Sequence, residues 1–242
     1  METRIPKKID DESLKDAVVE FRYVADLPPH LLWGILFQSL PEGFALTPET
    51  KSPMLLSFGK DAPIGIKSHA NTYVHNSIRL HITENALIFN IIGPYAGWTP
   101  YFEVIQKTIR ALTGPGKIIA CSRVGLRYIS EFPNLKIFEK IGAKCKLERP
   151  GWEGQRNTVF KTEIWSQENI IVINLANQVV RNPAQPDHFF SLVDIDVFHN
   201  FDTPEQNTEN LLRRTDELHA LEKTTFFGLL TDEFLTSLNP QY

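Results

Sequence analysis

The segment "RVGLRYISEF", which begins at Arg123, constrains the fold most because apolar and polar residues alternate along it. In an extended strand, Val124, Leu126 and Tyr128 share one face, and Arg123 and Arg127 share the other. A period of two is typical of a strand with one buried face. We therefore predict a central β-strand whose polar face carries two guanidinium groups.

Other segments repeat this alternation. "AVVEFRYV" predicts an early strand, "SIRLHI" and "ALIFNII" predict one hairpin, and "RNTVFKTEIW" and "IIVINLANQVV" predict a second. "PMLLSF" and "KCKLE" predict shorter strands. In the later strand "HFFSLVDIDVFHN", Asp194 and Asp196 share the face opposite the apolar side chains. The sequence therefore predicts sheets made largely of antiparallel neighbours.

Helices are predicted between these strands. Apolar residues recur at helical spacing in "PPHLLWGILFQSL", which predicts an amphipathic helix. Thr99 and Pro100 suit the N-cap and first position of a second helix, and Thr203 and Pro204 suit those of a third. The closing segment "FFGLLTDEFLTSL" has helical apolar spacing as well.

The two halves of the chain share one element order, namely strand, helix, further strands and helix. We therefore predict an α+β fold of two similar repeats, each an antiparallel sheet with helices on one face. The repeats are assigned to residues 14–114 and 117–222. A C-terminal helical tail follows over residues 223–242.

Composition and charge limit the partners that we expect. The chain has 25 basic and 29 acidic residues, a net charge of −4, which argues against nucleic-acid or anionic-membrane binding over the whole surface. The opening "METRIPKKIDDESLKD" is charged where a signal peptide is apolar, and no apolar run reaches the roughly 18 residues of a membrane span. We predict a cytoplasmic protein that does not bind membranes.

Catalytic and cofactor motifs are missing from the sequence. It contains no GxxxxGK[ST] loop, no GxSxG elbow and no HExxH pair. The two cysteines, Cys121 and Cys145, fit no CxxC pattern and are interpreted as buried thiols. We predict no catalytic residue, no cofactor and no metal, and the sequence leaves open whether the protein is an enzyme.

Arg123, Arg127, Asp194 and Asp196 form the one candidate ligand site. Guanidinium forks match carboxylate or phosphate geometry, so the four residues could hold a small anionic ligand. Alternatively, they pair across strands with each other and with Glu20, because half-buried charges normally have partners. We favour internal pairing.

The C-terminal segment is the candidate partner interface. Phe226, Phe227, Leu230 and Phe234 belong to a group of apolar residues larger than one helix face normally buries. This surplus predicts binding to a protein partner or self-association.

Three segments carry a resemblance to a known family: "LKDAVVEFRY", "VGLRYISEF" and "DELHALEKTTFFGLLTDEFLTSL". Together they resemble a sporadically distributed family of uncharacterised prokaryotic proteins of similar length. The patchy distribution of that family implies an association with defence or toxin–antitoxin genes, and the family implies no catalytic residues.

Two functions are consistent with these observations. The first is a non-catalytic cytoplasmic protein that binds a macromolecular partner. The second is a protein that binds a small anionic ligand, or an enzyme, with its site on the face that carries Arg123, Arg127, Asp194 and Asp196. Nucleic acid is the partner that the net charge disfavours most.

Overall fold

The computed structural model describes most of the chain, namely residues 5–9, 13–25, 27–47, 71–113, 120–144, 150, 156–182, 184–185 and 187–242. The predicted strand "PMLLSF", most of the predicted strand "KCKLE" and Cys145 lie outside the described residues.

The described chain is an α+β protein, as predicted. Its strands and helices, in chain order, are β1 (Leu14–Val24), α1 (Pro29–Ser39), β2 (Ala45–Thr47), β3 (Asn71–His75), β4 (Ile78–Ile82), β5 (Ala86–Ile91), α2 (Trp98–Leu112), β6 (Ala120–Pro133), β7 (Thr158–Ser166), β8 (Asn169–Val180), β9 (Phe189–Glu205), α3 (Thr208–Leu229) and α4 (Asp232–Ser237). A short 3₁₀ turn, Ile137–Glu139, lies between β6 and β7.

The nine strands form one antiparallel sheet in the order β2-β3-β4-β5-β1-β6-β9-β8-β7. The predicted antiparallel sheet with helices is confirmed, while the division into two repeats is not shown. Both predicted hairpins are present, β4 with β5 and β7 with β8. The predicted strand of the opening segment is β6, near the middle of the sheet.

The chain divides into two compact units. One comprises Ala17–Leu126 and Phe198–Glu217. In this unit Tyr101 of α2 is buried and donates its hydroxyl to the carbonyl of Phe89 at 2.9 Å. Phe89 in turn meets Phe21 of β1 edge to face. The helix therefore packs on the apolar side of β1 and β5.

The other unit comprises Met1–Asp16, Arg127–Val197 and Leu218–Tyr242. Here the end of α3 packs on β6, where the rings of His219 and Tyr128 lie 6.0 Å apart.

The predicted start of the third helix is wrong. Strand β9 continues to Glu205 and includes Thr203 and Pro204, and α3 begins at Thr208. Asn207 acts as the cap, because its side-chain oxygen accepts the backbone N–H of Asn210 at 3.1 Å. Several residues near a helix start have capping side chains, and the length of β9 decides which one is used.

Candidate functional site

Arg127 and Asp194 form a two-bond ion pair between β6 and β9. Arg127 donates from Nε to Asp194 Oδ1 and from Nη2 to Oδ2, both at 2.8 Å. Asn174 on β8 donates its amide to the same Oδ2 at 3.1 Å. The side chains of Arg127 and Asp194 are only 14% and 6% exposed. Both carboxylate oxygens of Asp194 are therefore bonded within the chain.

Electrostatics reinforce this arrangement. Burial lowers the pKa of Arg127, but the hydrogen bonds and charge of Asp194, with the nearby charges of Asp196 and Asp16, outweigh it and raise the net pKa. Arg127 therefore stays charged at every pH at which the protein folds. A charged fork fixed on a carboxylate is a supporting contact of the sheet, because Asp194 accepts both of its hydrogen bonds.

Arg123 bonds to a different carboxylate. Its Nη1 donates to Glu20 Oε1 on β1, and Arg22 Nε donates to the same oxygen at 2.7 Å. The guanidinium of Arg123 also lies over the ring of Phe198, with Cζ 4.1 Å from the ring centre. A Cβ at Gly125 would come within 3.2 Å of Phe198 Cβ and 3.4 Å of Arg123 Nη2, so glycine leaves room for both side chains.

The structure thus places the four predicted ligand-site residues in two groups. Arg127 and Asp194 bond to each other, Asp196 acts on Arg127 through its charge, and Arg123 bonds to Glu20. Internal pairing, the favoured hypothesis, is confirmed for both arginines. Arg123 can reach Glu20 because β1, which carries Glu20, is the sheet neighbour of β6.

The four predicted interface residues of the C-terminal segment differ in exposure. Leu230 and Phe234 are buried, and Phe234 meets the ring of Phe132 edge to face at 5.8 Å. Phe226 and Phe227 are half-buried and contact each other at 5.2 Å. The chain itself therefore covers two of these four side chains.

Strand β7 carries a second, unexpected surface. Four of its large apolar side chains are exposed: Val159 (48%), Phe160 (38%), Ile164 (43%) and Trp165 (72%). Within the described part of the chain, β7 is the last strand at its end of the sheet. We call this strand, Thr158–Ser166, the β7 edge.

The exposed side chains lie on both faces of β7. The cross-strand neighbours of Phe160 and Ile164 are Leu175 and Ile171, which are buried, so these two continue the apolar face of the sheet. Trp165 points to the opposite face. The sequence signal was "TVFKTEIW", with apolar residues at both odd and even positions. Sequence reasoning missed this surface because such a pattern is typical of a fully covered strand.

Among the described strands, the main chain of β7 has a neighbour on one side only, namely β8. Ser166 pairs with Asn169 across a two-residue loop, and such a loop closes on a hydrogen-bonded pair. Hydrogen-bonding direction alternates along a strand, so the even-numbered residues of β7 bond to β8. The residues whose N–H and C=O groups point outward are therefore Val159, Lys161, Glu163 and Trp165.

Metal and nucleophile chemistry find no support in the described residues. Among them, no group of three or more His, Cys, Asp or Glu side chains could hold a metal ion. Burial raises the pKa of Cys121 to about 12, so this thiol stays protonated and unreactive. No helix in the described ranges is long and apolar enough to cross a membrane.

The fold and site define an α+β protein with one open antiparallel sheet, an internally paired charged face and an exposed apolar edge. Comparison of the sequence with models of known protein families and with curated proteins found no match.

Proposed function

We propose that this protein is a non-catalytic cytoplasmic binding protein that engages a macromolecular partner through the β7 edge. The observation that carries the proposal is the exposure of four large apolar side chains on one edge strand. Exposed apolar surface concentrated on one strand marks an interaction site more often than apolar side chains scattered singly. Fully burying side chains of this size is favourable by about 1.5–3 kcal/mol each. A partner strand would supply that burial.

The outward main chain supports the same mode of binding. An edge strand with free N–H and C=O groups is a template for a further strand, and proteins normally block such edges. In strand addition, main-chain hydrogen bonds contribute affinity and alternate side chains contribute specificity. The β7 edge offers both, because its apolar residues lie beside outward amides.

We further propose that the chain is built from two related α+β repeats over residues 14–114 and 117–222, with residues 223–242 as a tail. The sheet order supports this. From the middle of the sheet outward, the first half runs β1, β5, β4, β3 and the second runs β6, β9, β8, β7. Each half thus places its first strand innermost, followed by its last.

This correspondence matches β7 with β3. Strand β3 is covered on its outer side by β2 of the same chain, whereas the described chain offers β7 no such strand. The position that β2 fills in the first half is therefore the position that a partner would fill in the second.

A defence or toxin–antitoxin setting is part of the proposal and is supported by the sequence resemblance alone. Phe226 and Phe227 are a second candidate contact surface because they remain half-exposed. The alternative function, an anionic-ligand site or an enzyme on the charged face, is weaker. Both Arg123 and Arg127 are already bonded to carboxylates, so an anion would compete with Glu20 or Asp194 for these guanidinium groups.

Site-specific photo-crosslinking in cells tests the proposed function. Trp165 is replaced by p-benzoylphenylalanine, and the matched control carries the same group at Leu46, which is 60% exposed on β2. We expect an adduct of discrete mass from position 165 that is lost when Phe160 and Ile164 are changed to Thr. Equal adducts from both positions, or none from position 165, would contradict the proposal.

A further inference from the structure

We propose that the partner of the β7 edge is a second copy of the same chain. The two β7 strands pair antiparallel about a two-fold axis that passes Thr162. This inference rests on the proposed function, since it uses the same surface and names its occupant. It joins the two sheets edge to edge into one continuous sheet, and it makes the interface isologous.

The chemistry of β7 is symmetric about Thr162. In antiparallel two-fold pairing about this residue, each position before it faces the equivalent position after it in the second copy. The pairs, counted outward from the axis, are Lys161 with Glu163, Phe160 with Ile164, Val159 with Trp165, and Thr158 with Ser166. Thus opposite charges face each other, apolar side chains face apolar ones, and hydroxyl groups face hydroxyl groups.

Charge selects this register over its neighbours. A two-fold axis must pass through a residue, because outward-bonding positions pair only with outward-bonding positions. An axis at Lys161 would place that lysine opposite itself, and an axis at Glu163 would do the same with a carboxylate. Like charges directly opposite each other are destabilising, whereas opposite charges are favourable. The axis at Thr162 forms the Lys161–Glu163 pair twice.

The main chain fits the same register. The outward-pointing residues of β7 are the odd-numbered ones, and the axis at Thr162 pairs odd positions with odd positions. Every outward N–H then meets a C=O of the second copy. Four such pairs with two bonds each give about eight main-chain hydrogen bonds.

The apolar layer also continues across the proposed interface. Phe160 and Ile164 share their face with buried Leu175 and Ile171 of β8. Pairing them with each other across the axis covers the two exposed side chains that border this layer. On the other face, Trp165 would lie over Val159 of the second copy.

The β2 end of the sheet differs from the β7 end in two features that favour pairing at β7. Over the described residues, strand β2 comprises Ala45–Thr47, and a short edge strand is a device against edge pairing. These three described residues include no charged side chain that could fix a register. The nine-residue β7, with one lysine and one glutamate placed symmetrically, has both the length and the register.

Charge reversal tests the inference. Light scattering with size-exclusion chromatography is performed on the wild type, on K161E, on E163K and on the double exchange K161E/E163K. Lys161 and Glu163 are exposed, so circular dichroism is expected to show an unchanged fold. The control is K136E, at an exposed lysine outside the β7 edge.

We expect the wild type and K136E to be dimers. Each single reversal places like charges opposite each other twice, so we expect its dissociation constant to rise at least tenfold. The double exchange restores opposite charges and is expected to restore the dimer.

Two results would overturn the inference: a wild type that is monomeric at all concentrations up to its solubility limit, or a double exchange that associates no better than the single reversals. In either case the crosslinker at Trp165 separates the two proposals. An adduct with a different protein leaves the proposed function standing, whereas no adduct removes both.

Discussion

On the central strands β6 and β9 the charged groups are satisfied inside the chain, whereas on β7 the apolar groups are left in water. Arg127 donates twice to Asp194, and Arg123 donates to Glu20 and lies over the ring of Phe198. On β7, Trp165 is 72% exposed at the end of the sheet.

The contrast separates what supports the fold from what is available to a partner. A buried ion pair whose groups are bonded has little left to offer a ligand, and breaking it costs stability. An exposed apolar side chain contributes little to folding, and it contributes to binding when a partner covers it. Substitutions in the two regions should therefore affect different measurements.

The largest expected effect is on the Arg127–Asp194 pair. Arg127→Ala leaves Asp194 charged, buried and without its two strongest bonds, so we expect a loss of about 3–5 kcal/mol in the free energy of unfolding. Urea unfolding measures it. The matched control is Arg181→Ala, because Arg181 is 66% exposed and its pair with Glu131 should contribute less than about 1 kcal/mol. An unchanged stability for Arg127→Ala would favour the anionic-ligand site instead.

The interior of the same unit supplies a pH-dependent test. Burial raises the pKa of Glu222 from 4.5 to about 8, against a smaller opposing effect of Lys223. The unfolded chain releases this proton near pH 4.5 and the folded chain keeps it to about pH 8. The contribution of Glu222 to stability is therefore largest below pH 4.5, falls as the pH rises towards 8, and is constant above.

Glu222→Gln should remove this fall. Relative to the wild type, we expect the variant to gain about 4 kcal/mol between pH 4.5 and pH 8. Thermal or urea unfolding across this pH range measures the difference. A constant difference between the two proteins would show that Glu222 ionises as freely in the folded state as in the unfolded one.

A smaller loss is expected at the second arginine. Arg123→Ala should cost about 1–2 kcal/mol, because Glu20 is 23% exposed and keeps its bond to Arg22. Unfolding of the Arg123 and Arg127 variants side by side ranks the two pairs. If Arg123→Ala proved the more damaging change, its contact with Phe198 would be the stronger support.

The smallest effect on stability is expected at the β7 edge. Ile164→Thr keeps a β-branched residue in the strand, so we expect a change within about 0.5 kcal/mol. Association should nevertheless weaken at least tenfold, because Ile164 would face Phe160 of the second copy. Leu46→Thr on β2 is the control and should alter neither quantity. A large loss of stability with unchanged association would show that Ile164 supports the fold and not an interface.

The sequence predicted the local structure of β6 correctly. Alternation in "RVGLRYISEF" placed Val124 and Leu126 in the core and both arginines on the other face. The same reasoning identified both hairpins and the internal pairing of the charges. These features depend on the alternation of apolar and polar residues within each strand and on turns between strands that are adjacent in the chain. Both are visible in the sequence.

The position of each strand in the sheet could not be predicted in this way. A period of two is the same for a central and an edge strand, and only the sheet order places β7 at the end. The N-cap of α3 depended in the same way on how far β9 extends, and it lies at Asn207 and not at Thr203. Glu222 was missed because helical spacing shows which face is buried but not which polar residue is carried into it.

Hydrogen exchange of the wild type and K161E, followed by mass spectrometry, tests the central claim most directly. The claim is that the β7 edge is an interface while the charged face of β6 and β9 is internal support. It predicts slower exchange in peptides from 158–166 of the wild type, and equal exchange in peptides from β6 and β9. Equal exchange at 158–166, or a difference confined to β6 and β9, would contradict it.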